Sequence, residues 1–295
     1  VGVSVISLVI LVELLPKQNT LENFRDFYGK YSIQKSKANN AKDSNTIVSL
    51  FSGRIAHGIQ YEGEKNMEPL SYYHRNSGIG LLLGRDRDTL KKNDLRVGAV
   101  GLGIGTIAAY AREGDTFDFY ELNPAVIDIA RGKNGYFSYL SNAKGVINTI
   151  PGDGRLSLER RGASKDSLPY DIIVLDAFSS DSIPAHLLTA EAFQVYLQQL
   201  APDGIIAVHI SNRFVRLLPV LQANAHRLSL LVFGRDDEDW VKHNGGNGLA
   251  PSEWALLFRK APEKVPEGFI SVEDNEGFLW MDDYSPILPL IEWRN

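Results

Sequence analysis

The alternation of apolar and polar positions divides the chain into strands, turns and helices. Val97–Val100 is a short apolar run, followed at once by a G-x-G-x-G turn at Gly101, Gly103 and Gly105. Small and apolar residues over Thr106–Arg112 predict a helix start, and Thr116–Tyr120 predicts a second strand, closed by Glu121. Strand, turn, helix and strand in that order make a βαβ unit of a parallel sheet. Tyr170–Asp176 (YDIIVLD) is a continuous β-branched run that suits a central parallel strand buried on both faces. Gly145–Ile150 and Ile205–Ile210 supply further strands. Ala125–Arg131, Arg155–Arg161, Ala190–Leu200 and Phe214–Leu228 supply helices. Leu230–Phe233 and Trp254–Arg259 read as the last strands, antiparallel to each other. The pattern predicts an α/β fold with a mostly parallel, seven-stranded sheet and an antiparallel last strand.

A smaller β-unit precedes it. Pro16–Asn45 is polar and irregular at first, with a strand at Lys30–Lys35. Thr46–Phe51 and Arg54–Tyr61, joined by Ser52-Gly53, read as a hairpin. The chain therefore divides into a linker and β-unit over 16–68 and an α/β domain over 69–295. Pro69 fits the first turn of a helix carrying Tyr72, Tyr73 and His74. Asp236–Pro251 is polar and glycine-rich and predicts a mobile surface loop. Val1–Leu15 is almost wholly apolar, with Glu13 its one charge. It is shorter than the roughly 20 residues a membrane-spanning helix needs. It reads as the end of a transmembrane helix that begins ahead of this chain, or as a buried apolar segment. In the first case Lys17, Arg25, Lys30, Lys35 and Lys37 put the remainder, tethered to a fused membrane domain, on the cytoplasmic side.

Composition narrows the chemistry. The 295 residues are 44% hydrophobic and 23% charged, with a net charge of -5, which argues against nucleic-acid binding through a basic surface. There is no cysteine, so disulfides, thiolate metal sites and a cysteine nucleophile are excluded. The six histidines show no H-x-x-x-H spacing, and no metal is expected.

The glycine turn together with Glu121 at the second strand's end points to a nucleoside, because a carboxylate there can accept both ribose hydroxyls. Spacing alone leaves a dinucleotide and S-adenosylmethionine both open. G-L-G-I-G-T lacks the last glycine of a pyrophosphate-binding turn, which favours an adenosyl sulfonium. Asp153, after the third strand, can accept from an adenine amino group or cap the following helix. Asp176 falls at the carboxyl edge, where open α/β sheets place their ligands. Tyr72, Tyr73 and His74 either pack the β-unit onto the core or rim the site.

In order along the chain, RDFYG, SGRIAHGIQ, PLSYYH, GLGIGT, YELNP, GDGR, YDIIVLDAFSSDSIP, HISNR and DDYSP resemble the polyamine aminopropyltransferases, the spermidine synthase group. The likeness runs over roughly Phe24–Leu290 and is nearest to the bacterial branch fused behind a membrane region. The resemblance implies a class I methyltransferase-like Rossmann fold behind a small N-terminal β-unit, and a homo-oligomer, a dimer. It also implies transfer of an aminopropyl group from decarboxylated S-adenosylmethionine to a polyamine such as putrescine, releasing methylthioadenosine. Under it Gln60 touches the nucleoside and Gly101, Gly103 and Gly105 run under the tail. Glu121 holds the ribose, Asp153 the adenine, and Asp176 deprotonates the amine. Tyr72 or Tyr73 lines the amine channel, with His74 and Asp181 also on the substrate side.

Two departures stand out. Ile104 occupies the place of an aspartate that, in this group, meets the ammonium of the aminopropyl tail. Losing that charge makes intact S-adenosylmethionine less disfavoured, by ~1–3 kcal/mol. The loop after Asp176 is longer than the usual D-x-x-D-P, with Asp181 as its second acid. Ile104 leaves open another reaction of S-adenosylmethionine, methyl transfer or a lyase cleavage, and the apolar start with its basic flank leaves open a non-catalytic nucleoside or polyamine sensor of a membrane protein. Asp282, Asp283 and Tyr284 either line the amine site or end the fold in a polar turn.

Overall fold

The computed structural model describes residues 19–37, 46–53, 55–164, 167–178, 183–212, 214–244, 248–273, 275 and 277–291. Val1–Leu15 and Asp181 lie outside them. Among the described residues no helix is long and apolar enough to cross a membrane.

Four antiparallel strands form the first sheet, in the order β1 (Thr20–Arg25), β2 (Lys30–Lys37), β3 (Thr46–Ser52) and β4 (Ile55–Tyr61). β1 lies in the stretch expected to be irregular. Its exposure alternates residue by residue, as in a strand with one covered face, but polar residues fill both faces and erase the apolar signal.

The second sheet contains β5 (Arg96–Val100), β6 (Thr116–Glu121), β7 (Val146–Pro151), β8 (Tyr170–Leu175), β9 (Leu200–His209), β10 (Leu231–Asp236), β11 (Glu253–Phe258) and β12 (Ile270–Val272). Their order is β12-β10-β11-β9-β8-β5-β6-β7. β5 to β9 run parallel, and β11 enters antiparallel between β9 and β10. The expected sheet is present, with β12 added as an eighth strand of three residues on the edge, too short to leave a periodic signal.

β8 is buried throughout. Ile173 and Leu175 enter one apolar cluster with Phe193 and Leu221, of helices α3 (Ala190–Gln199) and α4 (Leu218–Leu228). Ile172 and Val174 enter a second, with Leu82, Trp254 and Leu256. This alternation between two covered faces explains the unbroken apolar run. A third cluster joins the two sheets through Ile33, Leu50, Ile104, Val126 and Phe137.

Three local expectations are corrected. The helix after the glycine turn is only a 3-10 turn, Thr106–Tyr110. The buried Asp115 carboxylate accepts from Arg112 N at 2.7 Å, which draws the chain out of the helix. Pro69 opens no helix: Ser71 sits at φ 58, a left-handed conformation that stops one, and helical structure begins only after Ser77. The segment expected to be a mobile loop contains a helix, α5 (Glu238–Asn244). Asp236 Oδ1 accepts from its first N–H at 2.7 Å, and Lys242 pairs with Glu238 four residues earlier at 3.0 Å. Two further helices border the site, α1 (Pro124–Ala130) and α2 (Gly154–Gly162).

Candidate active site

The carboxyl ends of β5, β6, β7 and β8 border one cleft, closed on the opposite side by the first sheet. Gly101, Gly103, Glu121, Asp153, Asp176, Tyr72 and Tyr73 all line it. The parallel register brings them together: Val100 of β5 pairs with Tyr120 of β6 and Leu175 of β8, so Gly101, Glu121 and Asp176 leave the sheet side by side.

The glycines are required by the protein itself. Gly101 has φ 102, and a Cβ there would lie 2.3 Å from the Asp176 carbonyl oxygen. Gly103 has φ 54, and a Cβ there would lie 2.6 Å from the His57 carbonyl oxygen. Left-handed φ and such close backbone approach admit only glycine. Gly105 is squeezed in the same way, by Leu140, but is not among the cleft-lining residues.

Glu121 is held by the turn it faces. Leu102 N donates to its Oε2 at 3.2 Å and Asn123 N to its Oε1 at 2.8 Å. Burial raises the Glu121 carboxyl above its ordinary value, against the pull of those backbone donors. Asp153 caps a helix, as one of its two expected roles requires, and it also lines the cleft. One oxygen caps α2, accepting from Leu156 N at 2.9 Å, while the other is 2.9 Å from His186 Nε2 at the cleft wall.

Asp176 follows β8 and is 9% exposed. Its backbone N–H donates to Val100 O at 2.8 Å, which fixes the main chain at the sheet's rim. The Tyr73 hydroxyl donates to Oδ2, and His209 Nδ1 lies 2.7 Å from Oδ1. Burial, with the Asp176 charge adding to it, raises the Tyr72 and Tyr73 phenols, so both remain hydroxyl donors at neutral pH. His57 also lines the cleft, and its buried Nε2 has no hydrogen-bond partner among the described residues. Burial lowers its imidazole, while the Asp176 charge pulls the other way.

Three expected site residues point elsewhere. Gln60 is 2% exposed and does not line the cleft. Its amide donates to Asn66 O at 2.7 Å and accepts from Ser138 N at 2.9 Å, tying β4 to the segment after α1. His74 also lies outside the cleft, 3.3 Å from Asp237 Oδ2 and stacked on Trp240 of α5. After the left-handed turn at Ser71, Tyr72 and Tyr73 face the cleft while His74 is buried away from it beside Asp237. Ile104 is 1% exposed and packs between the two sheets, so it does not face the cleft. Asp282 pairs with Arg155 through both oxygens, at 2.6 and 2.7 Å, and tethers the C-terminal turn to α2. Among the described residues no group of three or more His, Cys, Asp or Glu could hold a metal ion.

Sequence pattern alone does not single out His209. Its signal is its position, the last residue of β9, whose Val208 pairs with Leu175 of β8, so that His209 emerges beside Asp176.

The order of the central sheet, with its antiparallel penultimate strand and a cleft across the carboxyl ends, is that of the class I methyltransferase-like Rossmann fold. Relatives narrow this further. Over 122 residues the chain is 31% identical to the polyamine aminopropyltransferase of Vibrio vulnificus, a match covering 40% of this chain and 38% of that protein's length. In structure it resembles a probable spermidine synthase from Corynebacterium glutamicum (TM-score 0.53, 16% identity, 83% of this chain and 80% of the other). It also resembles spermidine synthase from Thermotoga maritima (TM-score 0.51, 14% identity, 83% and 75%). At such identities the structural likeness speaks for the fold. No family model matches the chain. In motif order and in fold the chain resembles the polyamine aminopropyltransferases.

Proposed function

We propose that this chain is an aminopropyltransferase that moves the aminopropyl group of decarboxylated S-adenosylmethionine onto a polyamine. The observation that carries the reading is the Asp176 carboxylate, placed at the sheet's rim beside the Gly101–Gly103 turn and held by donors on both oxygens. Glu121 offers its carboxylate to the ribose hydroxyls, and Asp153 faces the adenine end.

A sulfonium carbon is already electrophilic, so the protein's task lies with the amine. A polyamine is protonated at neutral pH and has no lone pair with which to attack. Asp176 binds the ammonium and takes its proton. The freed nitrogen forms the new N–C bond as the C–S bond breaks, and its electron pair stays on sulfur as a neutral thioether. Tyr73 spends its hydroxyl proton on Asp176, so the neutral phenol oxygens of Tyr72 and Tyr73 orient the amine by accepting from its N–H groups. Holding amine and carbon in line lowers the barrier further. Mass spectrometry of products from decarboxylated S-adenosylmethionine and a panel of amines tests the reading. Methylthioadenosine together with an amine heavier by one aminopropyl unit is expected. Failure to form either from any polyamine, putrescine included, ends it.

One observation favours a second reading, a reaction of intact S-adenosylmethionine. The glycine turn presents no acid to the cleft, since Ile104 is apolar and turned into the core. Turnover of intact S-adenosylmethionine, with none of the decarboxylated form, would select it.

A further inference from the structure

We infer that His209 is the positioning residue of the Asp176 carboxylate, a neutral imidazole that donates from Nδ1 and is anchored through Ser211 to the backbone of β11. This rests on the role given to Asp176 above.

The ring is 3% exposed and has no freedom to turn. Trp254 stacks on it at 4.6 Å between centroids and 10° between planes, Tyr72 at 4.8 Å and 30°. Trp254 is stacked and Tyr72 tilted against the imidazole, and both limit its rotation. Phe178 meets it edge-on at 4.8 Å. Both ring nitrogens are engaged: Nδ1 with Asp176 Oδ1 at 2.7 Å and Nε2 with Ser211 Oγ at 2.7 Å. Ser211 Oγ in turn accepts from Glu253 N, at the start of β11, at 2.7 Å.

Counting protons along this chain of contacts assigns the tautomer. Nδ1 faces a carboxylate and carries hydrogen. Nε2 of the neutral ring is then an acceptor, supplied by the Ser211 hydroxyl, whose oxygen still takes the Glu253 N–H. Each donor has one acceptor. An imidazolium would oblige Ser211 Oγ to accept twice and would leave its hydroxyl with no acceptor among the described residues. His209 therefore does not take the amine's proton. It fixes the plane of the group that does, while Tyr73 secures the other oxygen.

Asparagine and glutamine separate this role from packing. The asparagine amide can place an N–H where Nδ1 stands, whereas glutamine reaches toward Nε2. With decarboxylated S-adenosylmethionine and the accepted amine, His209→Gln is expected to lower kcat by about 10- to 100-fold, the scale of a catalytic group displaced by about an ångström. KM and methylthioadenosine affinity should stay within about threefold. His209→Asn should recover most of the lost kcat at a similar melting temperature. Equal impairment of the two variants, or loss of methylthioadenosine binding in step with kcat, overturns the assignment. If the wild-type chain turns over no amine, the proposed function fails, and His209 is still tested by 15N NMR of histidine-labelled protein. Comparison with His209→Asn identifies its signals. A neutral Nδ1–H tautomer at pH 7 is expected, and an Nε2–H tautomer or an imidazolium overturns the inference.

Discussion

Ile104, in the glycine turn, lies directly against Gly58 of β4: a Cβ on Gly58 would sit 2.3 Å from Ile104 Cγ1. The contact joins the small sheet to the large one and fixes where the turn's side chain goes. The apolar residue in the turn is part of the core between the sheets, and its effect on ligand charge is indirect. Gly58→Ala should destabilise the protein by about 1–3 kcal/mol, the usual cost of overpacking a filled site. Urea denaturation measures it. A change below about 0.5 kcal/mol would mean that the sheets separate easily there. Ile104→Asp should cost about 2–5 kcal/mol, because the carboxylate would enter an apolar cluster.

Asp176→Asn tests catalysis against sensing. Turnover should fall by about 10²–10⁴-fold, the range attributed to general-base catalysis. Methylthioadenosine affinity, read by titration calorimetry, should remain within a few fold. A protein with no turnover to lose and with unchanged binding would be a sensor.

Glu121→Gln keeps the shape of the side chain and removes its charge. Each hydrogen bond to a charged group contributes about 1.5–3 kcal/mol, so methylthioadenosine binding should weaken by one to two decades. A loss below threefold would place the ribose elsewhere.

His57 gives the protein an acid-sensitive step. Its folded-state pKa lies below the ordinary value of 6.5 because burial disfavours the charged ring. The unfolded chain therefore binds the proton first. The contribution to stability is complete above about pH 6.5 and is lost as pH falls through the lower, folded-state value. Urea titrations at pH 7 and pH 5 should show a smaller drop in His57→Gln than in the wild type. Equal drops would mean the ring is solvated.

The Arg155–Asp282 pair acts at lower pH. Its hydrogen bonds to Arg155 lower the Asp282 carboxyl from 3.8 to about 2. Stability from the pair is present above pH 3.8 and is lost as pH falls toward 2. The Asp282 side chain is 46% exposed, so solvent screens the pair. Asp282→Asn at pH 7 should cost only about 0.5–1 kcal/mol by denaturant titration.

The sequence by itself determined the parallel core and the three positions where the chain leaves it. Each of those strands is covered on both faces, so it is predominantly apolar, Asp118 of β6 and Asp171 of β8 apart, and it ends in a glycine or an acid: Val100-Gly101, Tyr120-Glu121 and Leu175-Asp176. Such signals are local, and the register of a parallel sheet then gathers those ends along one rim. Side-chain direction off the sheet was decided only by tertiary structure. Ser71 in a left-handed turn sends Tyr73 to Asp176 and His74 to Asp237. Gln60 is consumed by Ser138, 78 positions away. His209 reaches Asp176 across 33 positions because β8 and β9 are neighbours. These partners are distant in the chain, and no periodicity in a short window encodes which of two polar groups will be desolvated against the other.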